Sequence, residues 1–332
     1  GFLRTCLRGT LAPQLEGLDC NRMTIAYFCV SGLDLLGELT AEDKEMTSAW
    51  VLSLQVHPKN ETSPGGFRGS PFFAAADDNT TWDLGHIAMT YTALATLRIC
   101  GSALHGVNIR GVKALVQAVQ DPDGSFRPHP GECERDVRFM FCAAACCHFI
   151  SDWSAFDTDT AMAKLLECFS HEGGFGLHPG LEAHGGSTYC SVAAMVLMGK
   201  LEEFGEWRRQ RLVEWCLRRQ IGGFQGRINK DPDSCYSFWV GACLHMLGAA
   251  PLIDVESVQA FCSTCEKSST GGFGKAPDAR ADVLHTYMSL AGYSLSAEAA
   301  RIRARLDAGG ASESHPAAHS EGGRAGESED EE

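Results

Sequence analysis

The chain has 332 residues, a formal net charge of −14, 44% hydrophobic residues and fifteen cysteines. This length supports a large core in one or two domains, and the apolar fraction excludes a disordered chain. No apolar run of about eighteen residues occurs, so no membrane span is expected. The acidity argues against nucleic acid, whose binding rests on clustered Lys and Arg.

Gly1-Phe2-Leu3-Arg4 shows no basic segment followed by an apolar stretch, so no secretory signal is expected. Most cysteines lie inside apolar stretches, as do Cys142, Cys146 and Cys147, and read as buried thiols of a cytoplasmic, reducing compartment. Asn60-Glu61-Thr62 and Asn79-Thr80-Thr81 fit the glycosylation pattern, which carries meaning only for a secreted chain.

The body of the chain repeats. Gly65-Gly66-Phe67, Gly124-Ser125-Phe126, Gly173-Gly174-Phe175, Gly222-Gly223-Phe224 and Gly271-Gly272-Phe273 place their Phe residues 59, 49, 49 and 49 positions apart. A period of this size marks stacked supersecondary units. Each signal precedes an apolar, helix-like stretch, at 85–99, 137–150, 187–200, 235–248 and 283–294, and a more polar second segment lies between successive stretches. Little alternates with period two, so the chain reads as all-α with two helices per repeat. Apolar inner helices and amphipathic outer ones favour an α/α barrel, a toroid of inner and outer helix rings, over an open solenoid. The barrel domain is expected over 1–305 and an acidic disordered tail over 306–332. Residues 309–332 carry seven acids against Arg324 and no aromatic residue.

The repeat also works as a ruler. Nine positions after the Phe stand His184, Asp233 and Asp282; at eleven or twelve stand Arg138, Ser187, Cys235 and His285. All fall where a loop turns into an inner helix, so a closed ring brings them to one height. Taken singly, Asp233 reads as a helix cap, Cys235 as a packed thiol and His285 as a core histidine. Together they make a mixed O/S/N set suited to one zinc ion with an open fourth position. Cys262 and Cys265 form a CxxC without a second pair and read as structural. Arg227, Lys230, Lys275, Arg138 and His184 add donors around the same mouth, which suits an anionic ligand such as a diphosphate, although solvated loop charges explain Arg227 and Lys230 equally well. Tyr91, Tyr236, Phe238, Trp239 and Tyr287 on the inner stretches supply an apolar wall. A diphosphate mouth beside a greasy pocket suits an isoprenoid diphosphate.

The stretch GGFQGRINKDPDSCYSFW (222–239) resembles the β subunits of protein prenyltransferases, as do LEAHGGSTYC (181–190), DVRFMFC (136–142) and DVLHTY (282–287). GLDLLGEL (32–39), GHIAMTYTALATL (85–97) and HGGSTYC-x8-GKLEE (184–203) are similar in particular to the type I geranylgeranyltransferase branch of that family. The resemblance covers residues 4 to 296. It implies that Asp233, Cys235 and His285 bind zinc and that His184, Arg227, Lys230 and Tyr236 hold the lipid diphosphate. It also implies that Arg138 lies near the acceptor peptide's carboxylate. Lys275 matches the position where a lysine replaces magnesium, so no magnesium is expected. Thr24 matches the position where a small residue leaves room for a fourth isoprene unit. Ile228 and Met288 depart from the usual Pro and aromatic residue.

The implied reaction is zinc-dependent alkylation of a cysteine near the C-terminus of proteins such as small GTPases. Geranylgeranyl diphosphate would be the donor, a CaaX sequence ending in Leu or Phe the acceptor, and an α subunit the partner. A farnesyltransferase or Rab-type β subunit would share fold and zinc; Thr24 and Lys275 argue against the first. A terpene cyclase would need a D-x-D-D run, which is absent. A non-catalytic helical-repeat scaffold would bind neither zinc nor lipid.

Overall fold

The computed structural model describes residues 1–9, 13–58, 60, 63–73 and 84–311. Its helices alternate between two roles. The outer set is α1 (Phe2–Arg8), α3 (Ala41–Ser53), α5 (Ile109–Val119), α7 (Thr158–Cys168), α9 (Glu206–Leu217) and α11 (Val255–Thr264). The inner set is α2 (Arg22–Leu35), α4 (Ile87–Ile99), α6 (Val137–Ile150), α8 (Gly185–Leu197), α10 (Tyr236–Met246) and α12 (Val283–Ala311). Outer helices bury one stripe, as in α5, where Val112, Leu115, Val116 and Val119 point inward at helical spacing. Inner helices are apolar nearly all round: α6 buries an unbroken run from Phe139 to Cys147.

Each inner helix packs on the next, from α2 through α4, α6, α8 and α10 to α12, and α12 packs back on α2. The ring therefore closes, which a solenoid does not do. The outer helices sit around it in a second layer, and the expected α/α barrel is the fold observed. The one inner helix that the repeat signal does not announce is α2, because no Gly-Gly-Phe precedes it. The other observed inner helices lie within a few residues of the expected stretches, except that α12 runs past the expected end at 294 to Ala311.

The Phe signals explain the regularity. Phe67, Phe126, Phe175, Phe224 and Phe273 are all buried. The Phe67, Phe175, Phe224 and Phe273 carbonyls accept the backbone N–H of His86, His184, Asp233 and Asp282, the residues that lead into inner helices, at 3.0–3.2 Å. The Phe67, Phe175 and Phe273 N–H groups donate to Thr90, Thr188 and Thr286 in the first turn of the same helices, at 2.9–3.0 Å. Burying each ring stabilises the fold by roughly 1.5–3 kcal/mol, while the paired hydrogen bonds fix where α4, α8 and α12 start. Two short antiparallel ribbons accompany these turns, β1 (Gln55–Val56) with β2 (Gly66–Phe67) and β3 (Gln220–Ile221) with β4 (Gly223–Phe224). They form because the chain doubles back at the Gly residues before Phe.

At the seam, α1 packs on α2 and α12. Its Arg4 and Arg8 pair with Asp43, a fully buried carboxylate that also completes the capping box of α3 with Thr40. Burial alone would raise the Asp43 pKa, but the Thr40, Arg8 and Arg4 hydrogen bonds bring it down to about 2.

At the other end of the chain, α12 continues through Ala311, past the residue where the acidic tail was expected to begin. Residues 312–332, which hold most of that expected tail, lie outside the described residues, as do Asn79-Thr80-Thr81 and the last two residues of Asn60-Glu61-Thr62. All fifteen cysteines are free thiols and eleven are buried, Cys262 and Cys265 among them. Among the described residues no helix is long and apolar enough to cross a membrane.

Candidate active site

Asp233, Cys235 and His285 meet at the N-terminal ends of α10 and α12, with ligand atoms all within 4.8 Å of one another. The close spacing of Asp233 and Cys235 works because neither lies inside a helix. The Asp233 carboxylate accepts the Cys235 N–H at 3.0 Å, and Cys235, the expected first residue of the helix, occupies the cap position one residue before the observed start at Tyr236. His285 lies in the first turn of α12. Its Nε2 is 3.2 Å from Asp233 Oδ1, while its Nδ1 is 2.7 Å from Asp282 Oδ2.

The electrostatics of this cluster call for a cation. Burial pushes the His285 pKa down, but hydrogen bonds to Asp233 and Asp282 overcome it and raise the value to about 9. The imidazolium proton thus balances two carboxylates. For Asp233, burial is outweighed by His285 and Cys235, which hold the carboxyl below its ordinary range. The Cys235 thiol is pushed well above its ordinary value, by burial first and by the Asp233 charge second. One carboxylate oxygen, one sulfur and one imidazole nitrogen form a donor set that zinc accepts, with bonds of about 2.0–2.3 Å. The three side chains would have to close on a bound ion to reach those bond lengths, and the ion would displace the His285 proton. Asp282 would then orient the ligand histidine from behind.

Tyr236 follows Cys235 directly, and its hydroxyl lies 2.9 Å from His184 Nε2. His184 caps α8, its Nδ1 accepting the Gly186 N–H at 3.1 Å. Burial, helped by the Arg227 charge, lowers the His184 pKa. The Tyr236 ring is seated between two glycines: a Cβ on Gly185 would meet its Cδ1 at 2.9 Å, and one on Gly226 would collide with its Cζ and Oη. The Gly185 N–H donates to the Gly226 carbonyl at 2.7 Å, which ties the start of α8 to the loop carrying Arg227 and Lys230. Arg227 is exposed and pairs with Glu182 at 2.9 Å. Lys230 is exposed on the same loop, and its carbonyl accepts from Gln225 Nε2 at 2.7 Å. Lys275 is exposed beyond Phe273, and its carbonyl accepts the Ser234 N–H at 2.9 Å, which holds its backbone beside the Asp233–Cys235 segment.

Arg138 starts α6 as expected, but its guanidinium is committed to Asp136 and Glu134, with Phe139 beneath it at 5.5 Å. Ser187, at the equivalent ruler position, is buried and donates to the Phe175 carbonyl at 2.6 Å, a structural role. Thr24 lies in the first turn of α2, where its hydroxyl is 3.5 Å from Met89 Sδ. The expected apolar wall is present and is wider than the sequence suggested. Tyr189 packs on Phe238 and Trp239 at 5.1 and 4.9 Å, Tyr91 packs on Phe141 at 5.2 Å, and the Tyr27 hydroxyl lies 3.3 and 3.4 Å from those of Tyr91 and Tyr287. Met288 is buried in the same wall with Cys235, Tyr287 and Ala291.

Sequence reasoning missed three features. Asp282 stood on the ruler only as a residue at a helix start, although a carboxylate three residues before a histidine on a helix can reach it. Tyr27 lies on α2, the unannounced helix. His86 caps α4 as His184 caps α8, its Nδ1 accepting the Ala88 N–H at 3.1 Å. Ten extra residues between Phe67 and α4 moved it off the ruler. His86 lies beside His129 and Phe139, and burial, then the His129 charge, lowers its pKa to about 4.

A ring of two-helix repeats with a mixed O/S/N cluster and a cationic loop at one mouth defines a class that sequence comparison names. The family model of the prenyltransferase alpha-alpha toroid domain matches residues 1–319, and the chain belongs to that family. It is 38% identical over 306 residues to the geranylgeranyl transferase type-1 subunit beta of Arabidopsis thaliana, covering 87% of this chain and 81% of the relative. It is 36% identical over 312 residues to the subunit of the same name from Dictyostelium discoideum, covering 88% of each. Among solved structures, Candida albicans protein geranylgeranyltransferase-I complexed with GGPP superposes with a TM-score of 0.80 at 25% identity over 89% of both chains.

Proposed function

We propose that this chain is the catalytic β subunit of a heterodimeric type I protein geranylgeranyltransferase. It moves a geranylgeranyl group from its diphosphate to a cysteine thiol near the C-terminus of CaaX proteins ending in Leu or Phe, such as small GTPases. The observation that carries this reading is the adjacency of the Asp233, Cys235, His285 cluster to the Tyr236–His184 pair, at the mouth of an aromatic-walled ring. A scaffold has no use for such a cluster.

Asp233, Cys235 and His285 would hold one zinc ion, and Asp282 would keep His285 in place. The zinc, when bound, supplies the positive charge that keeps an acceptor thiol deprotonated and nucleophilic at neutral pH. The thiolate attacks the first carbon of the lipid, and the carbon–oxygen bond to the diphosphate breaks. Tyr236, oriented by His184, together with Arg227, Lys230 and Lys275 stabilises the charge that gathers on the leaving group. With Lys275 supplying a cation at that point, magnesium is not required. Trp239 and the other aromatic rings line the lipid channel, and Thr24 keeps its far end open. Arg138 faces the acceptor's carboxylate once Asp136 or Glu134 releases it. The free thiols fit a reducing, cytoplasmic setting.

The test uses the chain purified with its α subunit. One zinc per heterodimer and transfer of the geranylgeranyl group to a CaaL peptide are expected. Cys235→Ala should lose both together. Full transfer by a zinc-free preparation would overturn the reading.

A further inference from the structure

Among the described residues, every buried side-chain nitrogen or carboxylate oxygen without a protein partner lies in one place. These atoms are Glu172 Oε2, Trp215 Nε1, and Nε and Nη1 of Arg219; the other unpartnered groups are Ser and Thr hydroxyls. Arg219 is 7% exposed and Trp215 3%. All three residues line a single cavity of about 350 Å³ on the outer face of the ring, at the end of α9. Arg211, Arg218, Glu214 and Ile228 complete its wall.

The cavity is held open by packing. The Arg219 guanidinium lies over the Trp215 ring at 5.3 Å, and the indole lies against Gly174, where a Cβ would meet it at 2.9 Å. Arg211 is engaged by the His171 carbonyl and Arg218 by Glu214, whereas Nε and Nη1 of Arg219 have no hydrogen-bond partner and the charge of Glu172 offsets its own. Burial makes that charge harder to keep, lowering the Arg219 pKa. A buried donor or charge is ordinarily paired. What converges here is several N–H donors, one carboxylate acceptor, and three arginines against two glutamates.

We infer that this cavity is a binding site for a small, singly charged, protonated oxyanion, with dihydrogen phosphate as the matching chemistry. Its oxygens accept from Arg219 and Trp215, and its own hydroxyl donates to Glu172. The site is distinct from the mouth of the ring but touches both segments there. The other oxygen of Glu172 accepts the N–H of Ala183 at 3.3 Å, next to His184, and Ile228 lies between Arg227 and Lys230. An occupant therefore bears on the position of the diphosphate loop from behind.

The test titrates potassium phosphate at pH 6.5 and constant ionic strength into the heterodimer whose mouth is already saturated with geranylgeranyl diphosphate. Calorimetry reads the stoichiometry. One further equivalent of phosphate should bind, while potassium chloride gives no saturable signal and inorganic diphosphate binds more weakly because its second phosphoryl group does not fit. Trp215→Phe removes the indole N–H and keeps an aromatic ring, and should weaken phosphate binding roughly tenfold; Arg219→Lys should do the same. If Arg219→Lys does not fold, Trp215→Phe and the chloride titration carry the test. No phosphate binding beside the bound lipid, or binding that Trp215→Phe leaves unchanged, overturns the inference. Failure of the lipid itself to bind would instead count against the proposed function.

Discussion

His184 donates its ring proton to Tyr236. Because Nδ1 accepts the Gly186 N–H, the neutral imidazole carries its proton on Nε2, 2.9 Å from the Tyr236 hydroxyl. The phenol oxygen is thereby the acceptor, and its own hydrogen is free to point at a ligand. Burial keeps His184 neutral and the phenol protonated, each by disfavouring the charged form. The arrangement makes Tyr236 a donor of fixed direction.

Removing that donor is expected to cost more than one ordinary hydrogen bond. A bond to a charged group contributes about 1.5–3 kcal/mol, so Tyr236→Phe should slow transfer by roughly tenfold to a hundredfold. His184→Ala added to Tyr236→Phe should then cost little more, because the two residues act as one unit. Single-turnover rates for the four proteins of the cycle measure this, and fully additive losses would count against the shared role.

Asp282 is exposed and lies three residues before His285, yet its carboxylate holds His285 twice, accepting the His285 backbone N–H at 2.9 Å and lying 2.7 Å from its Nδ1. Asp282→Asn should weaken zinc binding by roughly tenfold to a hundredfold while leaving the fold intact. Competition for zinc against a chelator of known affinity reads this directly, independent of turnover. Unchanged zinc affinity would reduce Asp282 to a helix cap.

Thr24 and Met89 are in contact across α2 and α4, and under the proposed function the small Thr24 side chain leaves space for the lipid's far end. Thr24→Trp would fill that space with an indole. The variant is expected to prefer farnesyl diphosphate over geranylgeranyl diphosphate, read by competition between the two labelled lipids. An unchanged preference would place the lipid's end elsewhere.

His86 links stability to pH. Its folded pKa of about 4 lies below its unfolded value of about 6.5, so the unfolded chain takes up the proton first. Stability should therefore fall as pH drops from about 6.5 to about 4, by at most about 3 kcal/mol from this group. His86→Asn keeps a side-chain acceptor for the Ala88 N–H and should flatten that slope in denaturant titrations. The same slope in both proteins would show that other groups set it.

The ring was legible because its signal is both local and periodic. Phe126, Phe175, Phe224 and Phe273 recur every 49 residues, and the last three pin the next inner helix through their backbone. The Asp233, Cys235, His285 cluster was legible for the same reason: offsets of nine to twelve positions from equivalent Phe residues become similar heights in a closed ring. Where the period broke, the reading broke with it, at α2 and at His86. Other features had no sequence signal. The seat of Tyr236 between Gly185 and Gly226 joins residues far apart in the chain, and the commitment of Arg138 to Asp136 and Glu134 depends on rotamers that spacing does not dictate.

The residues leading into α4, α8 and α12 and the segment before α10 are His86, His184, Asp282 and Asp233, each anchored through its backbone to a buried Phe. Backbone and side chain therefore answer to different demands. The Phe anchor holds the main chain at each of these four posts regardless of what the side chain is, so one repeat can carry a metal ligand and another a proton donor without disturbing its neighbours. A scaffold with interchangeable posts of this kind can change its chemistry one residue at a time, because geometry is inherited from the repeat and only the reagent is swapped.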